Sequence, residues 1–294
     1  MMNRITFIFV KINLAAALFL LFAVNSVYAQ TFPDGLIGLP NSIPGVLYSI
    51  DASNGAATPI VTLNGRGALN GLSYLQDTLY GTDLRDFPGV DDFDIGSIAT
   101  DGVITFLGNQ NGSSNWHALA SDETNGVLYS MDVGGLNGIL ERQFTDGSIV
   151  TVGPVMGVRA SGMAYDDASG ILYAVDFDGV LYTVSTINGT PNTIGPTGIS
   201  GNKKGLAYDE CDRILYLNDG ISKQLYTLDI STGAATLVGS NDLVDDDING
   251  LAWKGTCPRA ISEVPTLSEW GLIAMAGVLG IVGFMVIRRR KVTA

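Results

Sequence analysis

The sequence predicts an all-β repeat fold, a single five-bladed β-propeller, on three observations. One motif returns every 43 to 46 residues, each copy divides into four short apolar runs, and the two ends of the repeat region supply complementary parts of one unit. The composition agrees: 37 glycines and only 15% charged residues in 294 suit short strands joined by tight turns rather than long helices.

The first strand of each copy reads NGLSYL from Asn70, WHALAS from Trp116, SGMAYD from Ser161, KGLAYD from Lys204 and NGLAWK from Asn249. A second strand follows four of them: TLYGTD to Asp83, VLYSMD to Asp132, ILYAVD to Asp176 and ILYLND to Asp219. Third and fourth strands meet at Asp101-Gly102, Asp146-Gly147, Asn188-Gly189 and Thr232-Gly233. Such pairs tolerate the positive φ that tight hairpin turns require. The stretch Gly205–Gly239 is the cleanest copy, and the repeats are similar to secreted propeller repeats ending in TGAATLVG.

The fifth first strand, NGLAWK, has no second strand after it. The beginning of the domain supplies the missing pieces: GLIGL from Gly35, VLYSID from Val46, a turn at Asn54-Gly55 and TPIVTL from Thr58. One blade is therefore predicted from the last strand plus the first three, a closure that removes the two free sheet edges of an open ring. An irregular sixth blade is the alternative, because 84–94 and 108–115 match the repeat poorly.

Residues 1–29 have the pattern of a signal peptide: Arg4 and Lys11, an apolar run from Leu14 to Val24, and a small residue at Ala29, after which cleavage is expected. The propeller is expected over 30–260, a linker with a sorting motif over 261–271, a transmembrane helix over 272–287 and a basic tail over 288–294. The helix is long enough for a single span, and Arg288, Arg289, Arg290 and Lys291 directly after it place the tail on the cytoplasmic side.

Before that helix stands Val264-Pro265-Thr266-Leu267-Ser268-Glu269-Trp270-Gly271. Motif, apolar helix and terminal basic run together resemble the IPTL-CTERM sorting signal of Gram-negative bacteria, a relative of the PEP-CTERM signals. Val264 stands where that family usually has Ile. The resemblance implies recognition at Val264, Pro265, Thr266, Leu267, Trp270 and Gly271 by an exosortase-type membrane protease. It further implies passage through the inner membrane, removal of the helix, and delivery to the cell surface or extracellular matrix. A permanent single-span anchor is the alternative fate.

The net charge is −13, and the basic cluster lies at the far C-terminus, so the propeller is more acidic than the total. That excludes nucleic acid as an expected partner, because phosphate binding needs clustered Lys and Arg. Cys211 and Cys257 fall just after the innermost strands of consecutive copies, and in an oxidising compartment they are expected to form a disulfide that fastens the closing strand. The recurrent Asp83, Asp132, Asp176 and Asp219 read as turn-fixing acceptors repeated with the fold.

Two acidic loops break the pattern. One holds Asp86, Asp91, Asp92 and Asp94, the other Asp242, Asp245, Asp246 and Asp247. Their carboxylates make Ca²⁺ the one cofactor to consider, since Ca²⁺ takes six to eight oxygen ligands, although neither loop has a Ca²⁺-binding motif. Trp116 and the single histidine, His117, together with Arg66, Arg159 and Lys203, are expected on one rim of the ring as a polar, partly aromatic binding surface. The first strands carry acids only at their trailing ends, and no zinc spacing, phosphate loop or nucleophile elbow is present. The expected function is a non-catalytic binding or matrix module for a glycan or protein partner. An extracellular hydrolase or lyase acting on a carbohydrate or lactone is the alternative.

Overall fold

The computed structural model describes residues 31–40, 42, 44–64, 71–82, 95–107, 116–132, 138–153, 157–201, 204–243 and 246–255, and of Trp116, His117 and Asp132 the backbone alone. Strands β1 (Gly35–Pro40), β2 (Val46–Ile50) and β3 (Ala57–Thr62) come first, without an inner strand of their own. The first complete blade is β4 (Leu72–Leu75), β5 (Thr78–Gly81), β6 (Gly96–Ile98) and β7 (Ile104–Phe106). The second is β8 (Trp116–Asp122), β9 (Val127–Asp132), β10 (Ile139–Gln143) and β11 (Ile149–Val152). The third is β12 (Ala160–Asp166), β13 (Ile171–Asp176), β14 (Val180–Val184) and β15 (Pro191–Pro196). The fourth is β16 (Lys204–Asp209), β17 (Ile214–Asp219), β18 (Gln224–Leu228) and β19 (Ala235–Ser240).

The last strand, β20 (Ile248–Lys254), pairs antiparallel with β1, from Gly35 opposite Lys254 to Pro40 opposite Ile248. It thereby completes a closing blade in the order β20-β1-β2-β3. The inner strands β4, β8, β12, β16 and β20 pack side by side, and β20 meets β4, so the ring is shut as the sequence predicts. Among the described residues there are five four-stranded sheets and no sixth.

The core is five wedges, one in each seam between blades. Leu75 and Tyr80 of the first blade meet Leu119 and Leu128 of the second. Met131 and Leu140 meet Met163 and Leu172. Val175 and Leu181 meet Leu206 and Tyr208. Tyr216 and Leu225 meet Leu36 and Leu251. Ile37 and Leu47 meet Leu72 and Tyr74, which closes the circle. The alternation of each strand supplies one apolar face to each neighbouring seam, and each fully buried Leu contributes about 1.5–3 kcal/mol. The repeated tyrosines meet across these seams. Tyr129 lies 5.8 Å from Tyr165, Tyr173 5.9 Å from Tyr208, and Tyr216 6.2 Å from Trp253, ring centre to ring centre.

The glycine of each inner strand marks where neighbouring inner strands touch. A Cβ on Gly162 would lie 2.9 Å from the Leu206 nitrogen, and one on Gly205 2.8 Å from the Asn249 oxygen. In the second blade Ala118 takes this place, not His117. Both β8 and β12 carry an extra residue before it, so Trp116 is equivalent to Ala160 and His117 to Ser161. The alignment of WHALAS on NGLSYL is therefore one residue out, because a bulge leaves no trace in apolar spacing.

Antiparallel alternation gives the ring two faces. First-to-second and third-to-fourth strand turns lie on one, the turn face. Second-to-third strand and blade-to-blade connections leave from the other, the loop face. Phe32, leading into β1, and Gly255, following β20, both stand at the turn-face ends of their strands. Among the described residues no helix is long and apolar enough to cross a membrane. The signal peptide expected at 1–29 and the span expected at 272–287 lie outside them.

Candidate functional site

On the turn face the inner strands of the second, third and fourth blades each end in two acids. The first acid folds its own turn. Asp122 accepts the Asn125 backbone N–H at 2.9 Å, Asp166 accepts that of Ser169 at 3.1 Å, and Asp209 accepts that of Cys211 at 2.8 Å. The second acid reaches back to the preceding blade. The Gln76 N–H donates to Glu123 at 2.9 Å, the Thr124 N–H to Asp167 at 3.2 Å, and the Asp167 N–H to Glu210 at 2.6 Å. Three successive seams are thus stitched by one carboxylate each.

Burial pushes all three of these carboxyls upward, and the neighbouring acids add to it: Glu210 is raised to about 7, and Glu123 and Asp167 are raised in the same direction. In the closing blade the equivalent residue is Gly255, which offers no side chain. That seam instead adjoins Cys211, which is disulfide-bonded. Cys257 falls outside the described residues. At the last seam the Lys254 ammonium donates to the Phe32 carbonyl at 3.1 Å and stands 5.8 Å from the Tyr74 ring centre.

Between these turns a small recess of about 40 Å³ opens along the ring axis. It is bordered by all five inner strands, at Ser73, Ser121, Met163 to Tyr165, Leu206 to Tyr208 and Leu251 to Trp253, whose large side chains pack into the seams. The Ser73 hydroxyl donates to that of Ser121 at 2.9 Å. The Trp253 indole nitrogen is buried without a hydrogen-bond partner. Among the described residues no acid, histidine or lysine lines the recess itself.

On the loop face the recurrent aspartates that are described act as turn acceptors. Asp176 takes the Val180 N–H at 2.8 Å and the Tyr182 hydroxyl at 3.1 Å, and Asp219 takes the Ile221 N–H at 3.1 Å. Lys204 is fully buried at the seam of the third and fourth blades. Its ammonium donates to the carbonyls of Asp176 at 3.1 Å and Phe177 at 3.3 Å, and also to that of Gly201. Burial lowers its pKa, opposed by the charges of Asp219, Asp176 and Asp178.

Of the expected rim, Arg159 is exposed, with its guanidinium 4.7 Å from the Phe177 ring centre. Trp116 and His117 are placed by their backbone at the loop-face end of β8, while Arg66 and Lys203 fall outside the described residues. Asp86, Asp91, Asp92, Asp94 and Asp245 also fall outside. Asp242 is exposed, and Asp246 accepts the Tyr48 hydroxyl at 2.7 Å, which lifts that phenol to about 12 through burial first and the carboxylate second. Among the described residues no three His, Cys, Asp or Glu gather in a way that could hold a metal ion.

Glu123, Asp167 and Glu210 were not singled out by sequence reasoning. The available signal was the doubled acid at the end of three inner strands, Asp122-Glu123, Asp166-Asp167 and Asp209-Glu210.

Residues 264–291 match the model of the IPTL-CTERM motif. This span holds Val264, Pro265, Thr266, Leu267, Trp270 and Gly271. No curated protein matches the chain significantly in sequence. Among solved structures, a chain of a nidogen/laminin complex is similar with a TM-score of 0.55 at 12% identity, over 76% of this chain and 100% of that one. A structural-genomics protein from Bacteroides thetaiotaomicron is similar with a TM-score of 0.50 at 16% identity, over 77% of this chain and 63% of that one. At such identities the likeness is one of fold.

Proposed function

We propose that this five-bladed propeller with its IPTL-CTERM motif is an exported, surface-sorted binding or matrix module, and that it engages a glycan or protein partner through the loop face. The observation that carries the reading is the joining of the two parts. Among the described residues the axial recess is lined by packing residues and hydroxyls rather than by an acid–base pair, and the tail bears a sorting motif. In a propeller the loop face is free to vary while the blades keep the ring. Arg159 is exposed there, and the inner strand bearing Trp116 and His117 begins there. The tail is processed by an exosortase-type protease, which leaves the propeller at the cell surface or in the matrix.

The test follows the chain in a host that carries an exosortase. Full-length protein is expected at the surface or in the matrix, and a chain lacking 264–291 is expected to lose that address. Surface protein is then exposed to host polysaccharide fractions and surface proteins, with Trp116→Ala and Arg159→Ala expected to weaken retention of the partner. Unchanged location after deletion overturns the sorting reading. Retention unaffected by both substitutions overturns the loop-face reading.

A further inference from the structure

The outermost strand of each blade is a sheet edge, and all but one of these edges are blunted against pairing with another chain. β3 contains Pro59, β15 contains Pro191 and Pro196, and a bulge breaks both strands. β19 exposes Leu237, but it too is broken by a bulge. β7 is only 3 residues long. β11 has none of these devices. Its sequence, Ile149-Val150-Thr151-Val152, holds no proline and no charge, and it pairs with β10 without a shift of register. Val150 is 50% exposed, and Ile149 and Thr151 on either side of it are exposed as well.

The edge is also self-complementary. The Phe144 N–H donates to the Ser148 carbonyl at 3.0 Å, which sets the phase of the ladder. Ser148, Val150 and Val152 turn their backbone groups towards β10, and Ile149 and Thr151 turn theirs away from it. Among the described residues no other segment bonds those outward groups.

We propose that β11 pairs antiparallel with β11 of a second copy of this chain, about a two-fold axis at Val150. Ile149 of one copy then lies opposite Thr151 of the other, so the outward N–H and C=O groups of each edge satisfy those of its mate. Val150 meets its counterpart across the axis, a pair of β-branched side chains of the kind that stabilises neighbouring strands. No charged residue of β11 faces its like. The apolar surface continues into the third blade, where Ile187 is 90% exposed beside Thr186. The Thr186 carbonyl takes the guanidinium of Arg142, the residue opposite Val150. Such a short pairing buries less than the roughly 1,200 Å² of a standard specific interface, so the dimer is weak and concentration-dependent. The net charge of −13 opposes it until salt screens the repulsion. The edge lies on the circumference of the ring, which leaves the loop face open to its own partner.

The experiment measures the mass of the full-length chain, kept in an uncharged detergent, over a concentration series at low and high salt. A monomer–dimer equilibrium that tightens with salt is expected. Under mild oxidation Val150→Cys should give a disulfide-linked dimer, because directly opposite residues of a non-hydrogen-bonded pair stand about 4.5 Å apart at Cα. Thr193→Cys on β15 and Thr236→Cys on β19, both exposed, should cross-link little. Val150→Lys sets two ammonium groups opposite one another, and Thr151→Pro removes an outward N–H without touching the β10 ladder. Each should weaken dimerisation about tenfold or more, with a cooperative melting transition retained. Monomer at every concentration and salt, cross-linking at position 150 no greater than at the controls, or association indifferent to both substitutions would each overturn the proposal. In host cells, an adduct of the Val150→Cys chain to a different protein in place of the dimer would assign the edge to a foreign strand and overturn it as well.

Discussion

Gly55, in the hairpin turn of the closing blade, presses against Gly239 in the outer strand of the fourth: a Cβ on Gly55 would lie 2.8 Å from the Gly239 carbonyl carbon. The same meeting recurs one seam earlier, where a Cβ on Gly233 would lie 2.7 Å from the carbonyl carbon of Gly195. Gly55 and Gly233 share a φ of about +84°. Gly195 and Gly239 sit at the bulge of their outer strands, where the register shifts. The turn dipeptide, Asn54-Gly55 or Thr232-Gly233, and the outer-strand VG or IG of the preceding blade are therefore two halves of one inter-blade contact. Asn241 adds to it, donating from its amide to the Gly55 carbonyl at 3.0 Å.

Gly239→Ala tests that contact. Its new Cβ would overlap the Asn54 carbonyl of the neighbouring turn, and two packed backbones can part only by opening the seam. A cost of about 2–3 kcal/mol is expected, read as a fall of roughly 4–12 °C in melting temperature. Gly198→Ala is the control: its φ of +79° is equally left-handed, but nothing lies within 4 Å, so it reports conformational strain alone, about 1–2 kcal/mol. Equal effects at the two positions would refute the steric contact.

The blade count and closure were legible because they rest on local signals. Apolar alternation and turn dipeptides return with a fixed period, and NGLAWK needs a partner that only the strand at Gly35 supplies. The seam contacts were not legible. Gly55 and Gly239, or Asp167 and Glu210, lie far apart in the chain, and a close approach leaves no mark in either segment alone. The bulge at His117 was missed for the same reason, and it moves that residue from the glycine position to the one before it. The axial recess is likewise a product of five strands at once.

Stability should fall as pH rises from about 5 to 8. Glu210 titrates near 7 in the folded chain, against an ordinary value of 4.5, with Glu123 and Asp167 displaced in the same direction. The folded state therefore holds more protons than the unfolded one in this interval, and rising pH favours unfolding. Exposed Asp51, Asp146 and Asp229 act oppositely. Hydrogen bonds from Ser53, Ser148 and Ser231 lower their pKa, so their small contribution is lost as pH falls below about 4. Thermal melts across pH 3–9 should peak between these limits. Glu210→Gln should shallow the alkaline side, and an unchanged slope would show that Glu210 does not titrate there.

Lys204→Met removes the one charge that binds three loop-face carbonyls together. The methionine side chain fills much of the same space, but the carbonyls of Asp176, Phe177 and Gly201 lose the ammonium, those of Asp176 and Phe177 keeping the backbone N–H groups of Gly179 and Gly201. Loss of hydrogen bonds from a charged donor costs about 1.5–3 kcal/mol. A lower melting temperature is expected, with faster amide exchange confined to the seam of the third and fourth blades. Stability equal to the parent would mean that burial of the ammonium costs as much as its three hydrogen bonds contribute.

The fourth seam lacks a carboxylate stitch because Gly255 replaces the acid, and a covalent link is the substitute we infer. Cys211 is disulfide-bonded, and the chain holds one other cysteine, Cys257. A bridge between them would fasten the end of β20 to the turn of the fourth blade, at the point where the ring is closed by pairing alone. Closing a loop of this length contributes about 2–4 kcal/mol. Reduction should therefore lower the melting temperature, and Cys211→Ser and Cys257→Ser should each match the reduced parent, with no further loss in the double variant. Two free thiols after denaturation without reductant would rule the bridge out. A bridge with no effect on melting would place ring closure in the β1–β20 pairing and the Lys254–Phe32 contact instead.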